Sequence, residues 1–388
     1  MEETLREFVI AVQNAYIASP SFSAMQTVEA GDIRLSASVA VRSPFVSVEY
    51  QSYADPFSNL QEMLLGGVEY SPEELPNLRA TFDGKSTWIH DRGRALAIRH
   101  PGWHLPSPFP SLRTLGELRF LGQITSDFLV GEGAPDTLHG RHGREVRLKP
   151  RHPSQSQLLR ELHFPFRKAH ILFDVESRFP LRMTIYPDER SSWAMLLPPD
   201  TPLVITYRDI LRNPPEARVR YTPSEDTRRF VGREMSPTDA VALCPFDLPL
   251  DALTEQGHRV NEGHVAAVWD DAASQGEVAI EFKAAPAPSN SAEPSDARAR
   301  LVLRVSNYLL HNLGRRKAFL SSQGTEQLIH GHHVRILDRS ALVKEGKPIP
   351  GLPVISEAFW EKDGSFWFLL GEGLDASELL QIVSPLLA

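Results

Sequence analysis

The sequence is poor in cysteine, in long apolar runs and in clusters of basic residues. Cys244 is the only cysteine among 388 residues, which excludes an internal disulfide, a cysteine-based zinc cluster and a CxxC redox pair. No stretch approaches the roughly 20 apolar residues that a transmembrane helix needs. A Lys/Arg-dense run is also missing, and 41 basic against 49 acidic residues give a net charge of −8. The composition therefore argues against a nucleic-acid partner.

The sequence also lacks the common catalytic motifs: HExxH, GxSxG, GxGxxG and an EF-hand loop. Its 14 histidines are scattered, so no Ser–His–Asp set is indicated, and Cys244 lies among apolar neighbours typical of a buried thiol. The best metal candidate is "HGHH", where His330 and His332 would share a face of a strand and reach one ion. A solvated edge strand explains the same residues, and we favour it. We expect no enzyme, no metal and no cofactor, and keep a metal-dependent hydrolase as a third hypothesis.

The segment "ATFDGKSTWIHDRG", residues 80–93, contains a Gly-Lys-Ser triplet that invites comparison with a phosphate-binding loop. A Walker A motif needs glycine five residues before Gly84, where this chain has Arg79, and it needs a helix afterwards. The residues after Ser86 instead alternate as in a strand. His90 and Asp91 are neighbours on that strand and should point to opposite faces. The segment is therefore predicted to be a hairpin around Asp83-Gly84.

The residues that are present predict a β-rich chain. An apolar stripe from Leu5 to Tyr16 predicts a first helix, and "SNLQEMLLGG", residues 58–67, predicts a short one. Between and after them, segments such as "IRLSASVAVRS" alternate apolar and polar residues with a period of two. These short strands follow one another without intervening helices. They predict an antiparallel sheet that curls or closes.

A chain of this length predicts two domains, and the strand pattern restarts after residue 235. We expect a first domain over residues 1–232 and a smaller α+β domain over residues 233–388. In the second, Asp363-Gly364 predicts a hairpin, and Asp375 with Glu378 predicts a capping box for the last helix. The segment "AAPAPSNSAEPSDA", residues 284–297, is rich in Pro, Ala and Ser and is expected to be a disordered loop inside this domain.

Several of these segments carry a family resemblance, which covers about residues 4–230. A Phe-x-Ala segment opens the first strand, and a "DGK-x-x-W" hairpin ends in Asp, with His90 where a Tyr is usual. A later hairpin contains "FPLRM". The matching positions are Phe22, Ala24, Asp83, Gly84, Lys85, Trp88, Asp91, Pro180, Leu181 and Arg182. In these positions the chain resembles the LolA/LolB superfamily of lipoprotein carriers.

The resemblance implies a mainly β, α+β fold: an unclosed antiparallel β-barrel with a helical lid, followed by the smaller C-terminal domain. It also implies a non-catalytic envelope protein that binds lipid or lipoprotein acyl chains as a carrier or chaperone. RseB likewise joins a LolA-like domain to a smaller one, so a regulatory sensor that binds a membrane-anchored anti-sigma partner is the alternative. The start "MEETLREFVIAVQ" lacks signal-peptide features. We expect a periplasmic or envelope location if a signal peptide was removed, and a cytoplasmic one otherwise.

A barrel-like sheet under a lid binds apolar guests between its covered face and the covering helices. Met and aromatic side chains suit such a site because they adapt to flexible chains. We expect the ligand-binding residues to be the apolar members of the strand faces, namely Leu35, Val39, Val48, Trp88, Leu96, Ile98, Phe173, Leu181 and Met183. The same residues could instead pack against the lid as a filled core, and the sequence leaves that alternative open.

Overall fold

The computed structural model describes ten stretches of the chain: residues 3–54, 74–102, 118–152, 156–162, 165–188, 200–216, 219–220, 223–283, 300–339 and 354–387. The chain divides into two compact units, and the main segment of the second is Arg228–Ala388. Ile98–His100 is grouped with the second unit. The helix predicted at residues 58–67 and the loop predicted at 284–297 lie outside the described residues.

The first unit is built mainly from strands. They are β1 (Phe22–Ala30), β2 (Ile33–Arg42), β3 (Phe45–Ala54), β4 (Leu78–Phe82), β5 (Ser86–Asp91), β6 (Leu96–Pro101, which contains the Ile98–His100 segment), β7 (Phe128–Leu138), β8 (Arg141–Pro150), β9 (Phe166–Asp174), β10 (Pro180–Pro187) and β11 (Leu203–Arg212). Its helices are α1 (Leu5–Ala18), α2 (Ile124–Asp127) and α3 (Gln157–Leu162), with 3-10 turns at Leu75–Asn77 and Arg119–Gln123.

The strands of the first unit form one antiparallel sheet in the order β7-β8-β9-β10-β11-β1-β2-β3-β4-β5. Within the described residues β7 and β5 do not pair with each other, and the sheet is open. The predicted fold class, an unclosed antiparallel barrel with helices, is confirmed.

Tight turns between neighbouring strands explain the antiparallel order. The predicted hairpin at residues 80–93 is confirmed: β4 and β5 are joined by a turn in which Asp83 Oδ1 accepts hydrogen bonds from the backbone of Lys85 and Ser86, at 2.9 and 2.7 Å. Gly84 has φ +93, and a Cβ there would lie 2.9 Å from Pro44 Cβ. Glycine is therefore required in this turn for both backbone and space.

One face of this sheet is apolar, and we call it the inner face. Residues that are directly opposite each other on paired strands share a face, so the strand register identifies its members. A single row crosses six strands and contains Val146, Ile171, Met183, Ile205, Val28 and Leu35. Each of these six side chains is at most 1% exposed. The row forms the centre of the first unit's core.

The second unit contains β12 (Arg228–Glu234), α4 (Pro237–Leu243), α5 (Leu250–Glu255), β13 (Arg259–Asp270), β14 (Gln275–Lys283), β15 (Arg300–Ser306), α6 (His311–Gln323), β16 (Thr325–Ile329), β17 (His332–Asp338), β18 (Ile355–Lys362), β19 (Ser365–Glu372) and α7 (Ala376–Leu387). Its antiparallel order is β12-β13-β14-β15-β19-β18-β17-β16. The predicted hairpin at Asp363-Gly364 is confirmed by φ values of 51° and 73°. The predicted capping box is also confirmed, since Glu378 N donates to Asp375 Oδ1 at 2.8 Å and Asp375 N donates to Glu378 Oε2 at 2.9 Å.

Helices cover both faces of the second unit's sheet. On one face α4, α5 and α7 pack over a large core that includes Trp269, Trp360 and Trp367. On the other face α6 packs over a smaller cluster through Leu313 and Leu320. Beneath α6 lies a buried charge cluster in which the carboxylate of Glu357 accepts from Arg316 and Arg339, all three side chains being at most 4% exposed.

None of the helices in the described parts of the chain is long and apolar enough to span a membrane.

Candidate ligand-binding face

Six of the nine residues predicted to bind ligand lie on the inner face. Leu35 and Met183 belong to the six-strand row, and Val39 pairs with Val48 across β2 and β3. Phe173 follows Ile171 at the next inward position of β9, and Leu181 precedes Met183 on β10. Each of the six is at most 1% exposed. The period-two pattern thus brought residues from four strands onto one covered surface.

The other three predicted residues do not belong to this set. Trp88 lies on the opposite face, because it pairs with Thr81 while the inward Ala80 pairs with Ile89. The prediction placed Trp88 on the same face as the other pocket residues, and the observed register of β5 places it on the opposite one. A strand that follows a tight turn can present either of its faces to the core. Ile98 is grouped with the second unit, and the described pairings do not assign it to the inner face. Leu96 is buried on β6, and the described pairings do not assign it to the inner face.

Trp88 and His90 occupy a polar part of the outer face. Their rings stack at 6.2 Å, and His90 Nε2 lies 3.2 Å from Thr81 Oγ1. Burial, with a smaller contribution from the charge of Arg79, lowers the pKa of His90 from 6.5 to about 3. An imidazole with so low a pKa is a poor acid or base near neutral pH. The prediction that His90 and Asp91 point to opposite faces is confirmed.

The first helix covers the inner face from one end. Phe8 of α1 is fully buried, and its ring meets that of Phe173 edge-on at 6.4 Å. The guanidinium groups of Arg144 and Arg178 lie 5.1 and 4.5 Å from the Phe8 ring centre. Arg144 also donates to the carbonyl of Glu3 at 2.9 Å. Cation–π contacts and this hydrogen bond therefore fix the start of α1 over β8 to β10.

The rest of the cover consists of short helical pieces that bury apolar side chains and are joined by side-chain hydrogen bonds. Asp127, at the end of α2, accepts from the backbone of Gln157 at 2.9 Å and so caps α3. Glu161 of α3 accepts from the backbone of Phe120 in the 3-10 turn at 3.1 Å. Thr125 of α2 donates to Gln13 of α1 at 2.8 Å. The cover therefore consists of several separate helical segments, whereas the strands of the sheet are joined by continuous backbone hydrogen bonds.

A polar pair interrupts the apolar inner face, and the sequence reasoning missed it. Gln26 and Tyr207 are opposite each other on β1 and β11, next to the six-strand row, and both are fully buried. Gln26 Nε2 donates to Tyr207 Oη at 3.0 Å. A signal was present: Gln26 is the one polar residue at the inward positions of β1, between Ala24 and Val28. A polar residue at a core position of an alternating strand is a candidate for function.

The proposed strand geometry for "HGHH" was wrong. His330 and Gly331 form the turn between β16 and β17, with φ values of 48° and 85°, so His330 and His332 are not on one face of a strand. A two-residue turn with both φ values positive joins strands with the correct twist, which explains the hairpin. His330 lies 3.1 Å from Ser384 Oγ, and His333 lies 2.7 Å from Glu326. Within the described residues no group of His, Cys, Asp and Glu is arranged to hold a metal.

The lone thiol is not activated. Burial raises the pKa of Cys244 to about 12, so the thiol stays protonated at physiological pH. It packs against the core of the second unit.

Comparison with known proteins gives structural likenesses only. No family model and no curated protein matches the chain. The solved structures to which it is similar include the MucA/MucB complex of Pseudomonas aeruginosa (8% identity, 97% of this chain and 95% of that chain, TM-score 0.31). They also include LprF of Mycobacterium bovis (13% identity, 58% and 100%, TM-score 0.33) and a LolA superfamily protein of Nitrosomonas europaea (12% identity, 56% and 98%, TM-score 0.27).

Proposed function

We propose that the first unit binds the acyl chains of lipids or lipoproteins against its inner face and catalyses no reaction. One observation carries this proposal: an apolar face, with a fully buried row across six paired strands, is covered by helices in place of a second sheet. A second sheet would lock such a face permanently. Short separate helices can leave such a face at lower cost than a second hydrogen-bonded sheet.

The energy available from such a face suffices for a carrier. Burying one methylene group contributes about 0.8 kcal/mol, so ten methylenes contribute roughly 8 kcal/mol before the costs of ordering the chain. A net value somewhat below that supports binding in the micromolar range. A carrier needs binding of this strength because it must also release its cargo.

We propose that the chain enters where the cover is weakest. Helix α1 is fixed over β8 to β10 by Phe8, Arg144 and Arg178, whereas α3 is a helix of only six residues that Asp127 and Ser156 cap and Glu161 links to the 3-10 turn. Movement of α3 and the neighbouring 3-10 turn would open part of this cover. The acyl chain would then occupy the space that the buried side chains of Leu158 and Leu162 fill.

A matched pair of substitutions on β2 tests the proposal. Ala37 is fully buried on the inner face, and its neighbour Ser38 is on the outer face. Leucine at position 37 would occupy space above the sheet, so A37L should weaken the binding of a fluorescent palmitoyl probe by at least about tenfold. S38L adds the same side chain on the other face and should bind as the wild type does. Circular dichroism and thermal melting would show that both variants fold, since overpacking can itself cost about 1–3 kcal/mol.

Two outcomes would contradict this function. If the wild-type protein binds neither the palmitoyl probe nor a diacylated lipopeptide, the inner face is only a filled core. If folded A37L binds as tightly as S38L, the chain binds elsewhere.

A second candidate function, regulation through a protein partner, rests on the second unit. Strand β16 lies at the edge of the described sheet, and its Leu328 is 68% exposed. An exposed edge strand can accept an extended segment of another protein by strand addition. If a membrane-anchored partner binds there, L328D should reduce its capture from envelope extract, while acyl binding stays unchanged. We propose a periplasmic or envelope location under either function, because acyl-bearing and membrane-anchored partners are found there.

A further inference from the structure

The hydroxyl group of Tyr207 lies in an unusual position for its polarity. The side chain is fully buried in the middle of an apolar face. Its oxygen accepts a hydrogen bond from Gln26 Nε2 at 3.0 Å, and its hydrogen is directed to Met183 Sδ at 4.0 Å. The Phe179 ring meets the Tyr207 ring edge-on at 5.6 Å. Gln26 thus orients the hydroxyl group, and a thioether receives its proton.

A thioether is a weak acceptor, and 4.0 Å is the outer limit for a hydrogen bond to sulfur. A buried hydroxyl normally has a stronger acceptor, because desolvating it without one is unfavourable. Burial, with a smaller contribution from the Glu161 carboxylate, raises the pKa of Tyr207 above its ordinary value. The group therefore remains a neutral donor throughout the physiological range.

Methionine at position 183 suits a replaceable partner. Its side chain is unbranched and flexible, so it can move aside without disturbing the sheet. Met183 also belongs to the six-strand row that an acyl chain would contact under the proposed function. A chain on this row passes directly beside Tyr207, since Ile205 of the same row precedes it by two residues on β11.

We propose that Tyr207, oriented by Gln26, donates a hydrogen bond to the carbonyl oxygen of an ester-linked or amide-linked acyl chain on the inner face. This inference rests on the proposed function and adds a polar anchor to it. The carbonyl oxygen takes the place of the Met183 sulfur as acceptor. The anchor selects neutral acyl groups over ionised fatty acids, because an ionised carboxylate would lose its hydration on the apolar inner face.

Two ligands that differ only in the carbonyl group test the anchor. Methyl palmitate and hexadecyl methyl ether have chains of similar length, but only the ester carries a carbonyl oxygen. A net hydrogen bond contributes about 1 kcal/mol, so the wild-type protein should prefer the ester about fivefold when each displaces a fluorescent acyl probe. Tyr207→Phe should abolish this preference and leave the affinity for the ether unchanged. Tyr50→Phe removes another buried hydroxyl from the inner face and should keep the preference.

An infrared measurement on the wild-type protein checks the same contact without a variant. The carbonyl stretch of ¹³C-labelled methyl palmitate should move to lower frequency on binding, relative to its position in hexane, and should return to the hexane value in Tyr207→Phe. Equal affinity for ester and ether, an unshifted carbonyl band, or a preference that survives in Tyr207→Phe would overturn the anchor while acyl binding stands. Failure of both ligands to bind would overturn the proposed function and the anchor with it.

Discussion

Replacing His90 with glutamine should make the protein more resistant to acid. His90 is 2% exposed, and its pKa is lowered from 6.5 to about 3. The folded protein therefore keeps this imidazole neutral, while the unfolded chain takes up a proton once the pH falls below about 6.5. Since the unfolded state then binds more protons, the free energy of unfolding falls as the pH falls towards 3. Glutamine cannot take up this proton, and its amide can still bond to Thr81.

The size of the effect follows from the lowered pKa. The penalty grows by about 1.4 kcal/mol for each pH unit below the unfolded pKa, which amounts to about 2 kcal/mol between about pH 8 and about pH 5. Urea denaturation across this range, on the wild type and on H90Q, measures it directly. The difference in unfolding free energy should change by about 2 kcal/mol in favour of H90Q on going to the lower pH. Parallel pH profiles would mean that His90 is charged or hydrated in the folded state, and its role in proton transfer would have to be considered again.

Two further substitutions test the packing of each unit. F8A removes a fully buried ring from α1 and should lower the unfolding free energy measured in urea by about 3–5 kcal/mol. I10A changes a 40% exposed position of the same helix and should lower it by less than about 1 kcal/mol. Similar losses for the two variants would show that α1 is not packed on the sheet. E357Q leaves the two buried guanidinium groups of Arg316 and Arg339 against a neutral amide and should lower the unfolding free energy by about 3–5 kcal/mol. K317A breaks the exposed pair with Glu361 and should lower it by at most about 1 kcal/mol. An E357Q variant as stable as the wild type would mean that the cluster is hydrated.

The strand architecture could be predicted from the sequence because alternation is a local signal. In a strand with one apolar face, the alternation indicates which residues point inward. Tight turns such as Asp83-Gly84 indicate which strands are neighbours. Leu35, Val39 and Met183 were placed on one surface by this reasoning alone. The class of the fold follows from the same patterns, since successive strands do not alternate regularly with helices as in a βαβ fold.

The parts that could not be predicted depend on contacts between distant residues. Whether Trp88 points inward depends on the register of β5 against β4, and a shift of one residue reverses it. The separation of the "HGHH" histidines depends on a two-residue turn, which composition alone does not distinguish from a strand. The pairing of Gln26 with Tyr207 joins residues that are 181 positions apart. Only the inward position of Gln26 could have been read from the sequence.

Photo-crosslinking with an acyl chain tests the central claim most directly. A palmitoyl ester that carries a diazirine near the end of its chain would be bound to the wild-type protein, irradiated and located by peptide mass spectrometry. The inner-face function predicts adducts on β1, β10 and β11, at or beside Val28, Met183 and Ile205, and competition by unlabelled methyl palmitate. Adducts confined to residues of the outer face, or labelling that unlabelled ester does not reduce, would contradict it.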